Sequence, residues 1–166
     1  MTLYLICSVA VFVACCIAPE VLRRATTDYA SEPISTYLTG RYGWIEDAGF
    51  LALAAALAVL GTQLRGWAGL CAALGTVGVF GALLTDRCAG WIGPHAHRWH
   101  LTCAGLAFVA AFFLEAIASR GGPMIVLAVC YPSIVALVYV LHPKETALQE
   151  KVAAALICAW LVAFAL

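Results

Sequence analysis

Six runs of about twenty mostly apolar residues, set apart by short polar segments, constrain this chain more than any other feature. A helix rising about 1.5 Å per residue needs about twenty residues to cross the roughly 30 Å hydrocarbon layer. The runs are Leu3 to Leu22, Trp44 to Leu64, Trp67 to Thr85, Trp99 to Ser119, Pro123 to Leu141 and Gln149 to Leu166. Lipid offers no hydrogen bonds, so a segment inside it must satisfy its own backbone groups, and an open strand would leave donors and acceptors bare. The sequence therefore predicts an all-α fold, a polytopic transmembrane helix bundle of six spans forming one domain over residues 1–166. The chain is 64% hydrophobic and 11% charged, with a mean hydropathy of +0.98, which is more apolar surface than a water-soluble core can use. Nine basic and nine acidic residues cancel, leaving no basic field for nucleic acid, and the expected surroundings are membrane lipid.

The punctuation between runs is tight on one side. Arg65-Gly66 divides the second and third, and Arg120-Gly121-Gly122-Pro123 the fourth and fifth. Trp44, Trp67, Trp91, Trp99 and Tyr42 cluster near run ends, where amphipathic rings favour the headgroup level. Gly75, Gly78 and Gly81 recur at three-residue spacing in the third run, letting a neighbouring backbone come close, so this helix is expected at the centre. Met1 to Ala18 lacks the basic n-region of a cleaved signal and reads as an uncleaved first helix. Seven of the eight cysteines lie inside apolar runs without metal spacing and read as small buried hydrophobes; Cys88 stands in a polar loop.

Orientation follows from Lys and Arg. Arg23, Arg24, Arg41, Arg87, Arg98, Lys144 and Lys151 belong to loops one, three and five, against only Arg65 and Arg120 opposite, which predicts a multi-pass cell-membrane protein with the odd loops cytoplasmic.

Those odd loops share one face and carry the polar residues that need a reason. Loop one, Arg23 to Gly43, contains Ser31 and Ser35; loop three, Asp86 to Arg98, contains Cys88, His95 and His97. Glu46 and Asp47 open the second span, Asp86 closes the third and His100 opens the fourth. Ionisable groups beside low dielectric are costly unless paired or used, so together they mark a candidate site. Carboxylates at an interface also cap helices or pair with arginines, and Arg41, Arg87 and Arg98 stand near enough in sequence to do so. His97 and His100, three apart, share roughly one helix face; with Asp86 and His95 they offer nitrogen and oxygen donors for a divalent metal, although the spacing matches no zinc signature. Without metal, a histidine beside a carboxylate serves as a general base, which makes Asp86 and His100 the candidate catalytic pair. Glu115 lies about 22 Å further along the fourth span than His100 and is expected to snorkel or to pair with Arg120, with a place in a proton relay as the alternative.

Asp28 to Tyr37 with Ser31 and Ser35, Tyr42-Gly43-Trp44-Ile45, Gly49-Phe50, Thr85-Asp86, His100 eight before Phe108, and Gln149, Lys151 and Trp160 make a pattern that runs through nearly the whole chain. It resembles a large, uncharacterised prokaryotic domain-of-unknown-function family of small six-span membrane proteins, marked by Ser-x-x-x-Ser, Gly-Trp, Thr-Asp and a fourth helix opened by histidine. The resemblance implies the six-span fold and no reaction. His95 and His97 depart from it, standing where small residues are expected. A more distant likeness is to intramembrane zinc hydrolases such as alkaline ceramidases and adiponectin receptors, which have seven spans and a late His-x-x-x-His pair that this sequence lacks.

Three functions fit these residues. In the first, Ser31, Ser35, Asp47, Asp86 and His100 hold the head of a lipid or small amphiphile over an apolar interior. In the second, Asp86 with His95, His97 and His100 binds a metal that activates water against a lipid ester or amide. In the third, the loops dock a protein partner whose identity the sequence does not give.

Overall fold

The computed structural model describes residues 2–22, 43–119, 123–141 and 146–166, and these are almost wholly helical, with no strand among them. Six long helices, α1 (Thr2–Leu22), α2 (Gly43–Gln63), α3 (Gly66–Arg87), α5 (Ala96–Ala118), α6 (Pro123–Leu141) and α7 (Thr146–Ala165), accompany a four-residue helix, α4 (Ala89–Ile92), among the described residues. Every boundary falls within three residues of the one read from the sequence. Five segments are long and apolar enough to cross a membrane: α1, α2, α3, the stretch from α4 through α5, and α7. The protein is thus a multi-pass, all-α membrane protein. Its outward side chains agree, since Val11, Ile17, Leu51, Val77, Val109 and Phe113 are exposed where acyl chains rather than water would meet them.

Loop three differs from its expected form. The stretch from Asp86 to Arg98 is helical along most of its length: α3 runs on to Arg87, α4 follows, a 3₁₀ turn spans Gly93–His95, and α5 starts at Ala96. The break between α4 and α5 falls at Gly93, whose φ of +67° lies in the left-handed region, followed by Pro94, which has no N–H to continue a helix. His97 consequently belongs to the first turn of α5 rather than to a loop.

The long helices pack in a closed ring. α1 meets α2, α2 meets α3, α3 meets α5, α5 meets α6, α6 meets α7, and α7 returns to α1. The α3–α5 interface is the most extensive; among the described residues α3 has α2 and α5 as its long neighbours, so its glycines mark a close pairing rather than the central place expected. Gly78 explains how. A Cβ built there would lie 2.6 Å from the backbone nitrogen of Ala107 and 2.8 Å from the carbonyl oxygen of Cys103, so the two backbones touch where only hydrogen fits. Gly81 meets Cys103 Sγ in the same way at 2.8 Å, and Gly75 faces Leu57 and Ala110. In a bilayer, where lipid tails are as apolar as leucine, this close dispersion contact is what favours association over separate helices.

All eight cysteines are free. Cys158 is buried as expected, whereas Cys7 is turned outward from α1 and Cys88 is exposed between α3 and α4.

Gly78→Ala is expected to destabilise the bundle by about 1–3 kcal/mol, the usual cost of forcing a methyl group into a filled contact. Gly105→Ala, on the same interface helix but with nothing within 4 Å of the added carbon, should be neutral or slightly stabilising. Thermal unfolding in detergent compares them, and equal melting temperatures would remove Gly78 as the point of closest approach.

Candidate functional site

The close approach of α3 to α5 sets the C-terminal end of one beside the N-terminal end of the other. Asp86, in the last turn of α3, and His100, in the second turn of α5, meet there: Nδ1 of His100 lies 3.0 Å from Oδ2 of Asp86. The contact is close but off the line of a directional hydrogen bond, and both atoms are shut away from solvent. It is therefore an electrostatic contact first. His100 is 8% exposed as a residue, the most buried of the histidines whose side chains are described.

His100 also forms part of the wall of an interior cavity of about 60 Å³, lined from α1, α2, α3, α5 and α7. Phe12, Phe50, Leu57, Val79, Phe108 and Ile157 give the wall its character, and His100 and Glu150 are its polar members. The space exceeds the roughly 10–15 Å³ that one water needs, but the lining is greasy. The imidazole thus has the Asp86 carboxyl beside it and shares the apolar chamber with a second carboxyl group, that of Glu150. Such an arrangement can orient the ring, hold a donor or cation near the carboxylates, or pass a proton along the imidazole.

The other residues read from sequence fall around this centre in different ways. Asp47, on the first turns of α2, is engaged by Arg87: Nε of Arg87 donates to Oδ1 at 3.0 Å, and Nη2 donates to Oδ2. This two-point pair ties the start of α2 to the end of α3, on the same face as Asp86 and His100. Arg87 is 45% exposed, so the pair contributes at most about 1 kcal/mol. Asp47 is thus a partner of arginine here and does not line the cavity. Glu46, by contrast, is turned inward and 1% exposed, with its charge reaching Cys15 and Cys16 of α1. Ser31 and Ser35 lie outside the described residues.

His95 and His97 are exposed, one in the 3₁₀ turn and the other one helical turn before His100. Three-residue spacing puts His97 and His100 on roughly one face, yet only His100 is buried, and His97, in the first turn of α5, is exposed. Among the described residues, no three His, Cys, Asp or Glu side chains gather as a metal-binding group. The expected foursome of Asp86, His95, His97 and His100 thus divides into one contacting pair, a buried His100 with a half-buried Asp86, and two exposed histidines.

Glu150 was legible and passed over. Glu150, Ala154 and Ile157 recur at i, i+4 and i+7, the spacing of one helix face, and that face of α7 lines the cavity. Glu115 was misread. Rather than snorkelling, it is 1% exposed, and neither carboxyl oxygen has a hydrogen-bond partner among the described residues; Arg120 lies outside them. Near it, Ser119 donates to the Glu115 carbonyl, and the indole N–H of Trp160, itself 1% exposed, donates to Ser119 Oγ at 3.2 Å. Burying a polar group without a partner costs about 1–3 kcal/mol. Glu115→Met, which keeps the volume and removes the polar atoms, is therefore expected to raise the thermal stability by a similar amount. Unchanged or lowered stability would mean that the carboxyl is already satisfied.

No curated protein and no solved structure matches this chain. A family model does, over residues 6–166. The match takes in all the long helices and both members of the Asp86–His100 pair, and it names the relatives that the serine, Gly-Trp, Thr-Asp and histidine marks had pointed to. The chain belongs to the family described as protein of unknown function (DUF998).

Proposed function

We propose that this protein is a six-span protein of the cell membrane that binds a lipid or small amphiphile, with the polar head held at the Asp86–His100 end of the bundle. The observation that carries the reading is the buried histidine–aspartate contact on the wall of an otherwise apolar chamber. Ligand sites combine a mostly apolar enclosure with a few fixed polar groups, and an amphiphile has the same division. α6, 19 residues long and without a charged residue, supplies the remaining crossing. Ser31 and Ser35, in the segment between α1 and α2, are the further polar residues assigned to the head. The Lys and Arg distribution favours that face as the cytoplasmic one.

A catalytic role uses the same pair differently, with Asp86 orienting the imidazole and His100 taking a proton from water or an alcohol. Ligand retention separates the two. Wild-type protein, purified in mild detergent and examined by native mass spectrometry, is expected to retain a lipid that His100→Ala and Asp86→Asn lose, while the outward-facing variant Leu70→Ala keeps it. Equal lipid in all four proteins would overturn the proposal. Zinc or iron bound stoichiometrically to the wild type and lost in His100→Ala would select the metal-dependent hydrolase instead.

A further inference from the structure

The far end of α5 holds a buried acid that the Asp86–His100 site does not use. His100, Ala104, Ala107, Phe108 and Ala111 set one face of α5 against the chamber, and Glu115, four residues past Ala111, continues that face for one more turn. Glu115 is 1% exposed, and its two carboxyl oxygens are closed off from solvent without a hydrogen-bond partner among the described residues. About 22 Å of helix separates it from His100, so the two belong to opposite ends of the bundle.

The surroundings decide which form of the carboxyl fits. α5 packs on α3, α6 and α7. The charged residues within those helices are Asp86 and Arg87 of α3 and Glu150 and Lys151 of α7, all at the His100 end, and α6 has none. His97, Arg98 and His100 of α5 itself are at that end too. Nearer Glu115 the titratable groups are weak acids: the Cys71 thiol of α3, the Cys130 thiol and Tyr131 phenol of α6, and the Cys158 thiol of α7. Tyr131 stacks on Phe112, one turn before Glu115, with ring centroids 6.2 Å apart. Arg65, before α3, and Leu166, after α7, are exposed. An ionised carboxyl in this place would be a charge taken out of water with no cation to meet it, a cost that a bound proton removes.

The end of α5 is also fastened down. Ser119 Oγ donates to the Glu115 carbonyl oxygen at 2.5 Å, and the indole N–H of Trp160, on α7, donates to that Oγ at 3.2 Å. Only the stretch from Glu115 to Ala118 lies between the carboxyl and the helix end, a rise of about 5 Å. Lifting this turn off α7 is therefore a short route for water to the acid.

We propose that Glu115 is a proton-binding site inside the membrane and that the Trp160–Ser119 hydrogen bond is its latch. In the closed bundle the carboxyl holds a proton. When the bond parts and the last turn of α5 lifts from α7, a water molecule accepts that proton as hydronium and the carboxylate left behind is solvated; reclosure takes a proton back from water. The site stands apart from the amphiphile reading, at the other end of the same helix.

Infrared difference spectroscopy of the full-length protein in phosphatidylcholine nanodiscs tests both parts. Subtracting the Glu115→Gln spectrum from that of the wild type at neutral pH should leave the carbonyl band of a protonated carboxyl, with Glu46 common to both and cancelling. Carboxylate bands in its place would overturn the proton site, because they would require a cation beside the ionised group. In deuterium oxide the band shifts as deuterium replaces the proton, and the rate of the shift reads the opening. Trp160→Phe, which keeps an aromatic ring and removes the donor, should speed the exchange about fivefold, the factor that one ordinary hydrogen bond makes. Ser119→Ala, which removes the acceptor, should do the same, and the outward-facing variant Leu70→Ala should exchange as the wild type does. Exchange at the wild-type rate in both latch variants would overturn the latch, and exchange in the wild type too fast to follow would overturn the closed site.

Discussion

The backbone contact between α3 and α5 at Gly78 is the constraint from which the rest of the arrangement follows. Lipid supplies no hydrophobic force to press one helix on another, so association depends on how closely two surfaces fit. With hydrogen in place of a side chain at Gly78, and with Gly81 and Cys103 meeting a turn further along, α3 and α5 come near enough for two short polar side chains to touch across their ends. Widening that approach would separate Asp86 from His100 and leave each as a solitary ionisable group at the edge of the hydrocarbon. The glycine stripe and the polar pair are thus one device: the first sets the distance, and the second uses it.

The pair in turn gives the chamber a direction. Phe12, Phe50, Leu57 and Phe108 contribute apolar wall from several helices, and without His100 and Glu150 the space would be a packing imperfection with no preferred occupant. With them it has a polar end and a greasy end. The Asp47–Arg87 pair stands on the same face and holds α2 to α3 from the outside, so the site lies within a frame whose ends are tied independently of it.

Much of this was legible in the chain. Runs of apolar residues at membrane length gave the helices because lipid permits no other backbone solution, and the stripe Gly75, Gly78, Gly81 marked a face of close helix approach, though not a central helix. Asp86 and His100 could be paired from topology alone, since successive helices must reverse direction and so return their ends to one face. The errors have equally physical causes. Three-residue spacing says that two side chains lie near one another on a helix, but the height at which a neighbour closes over them decides which is buried, and so His97 and His100 diverged. Glu115 lies near a helix end, which suggests snorkelling or a pair with Arg120, yet the side chain is buried on the inner face shared by Ala111, Leu114 and Ala118, and Arg120 lies outside the described residues. Glu150 carries a helical-face signal with Ala154 and Ile157, but a single acid beside Gln149 and Lys151 at a helix start has an equally good reading as a solvated end.

The central claim is that the Asp86–His100 end of the bundle is the polar terminus of a space occupied by an amphiphile in the native membrane. An electron cryomicroscopy structure of the protein extracted in its own lipid by a membrane-solubilising polymer tests it most directly. Elongated density running between Phe12 and Phe108, with its head within hydrogen-bonding distance of His100, is the result expected. A dry contact with α1 and α7 collapsed together, or His100 rotated away from Asp86 into bulk solvent, would contradict it.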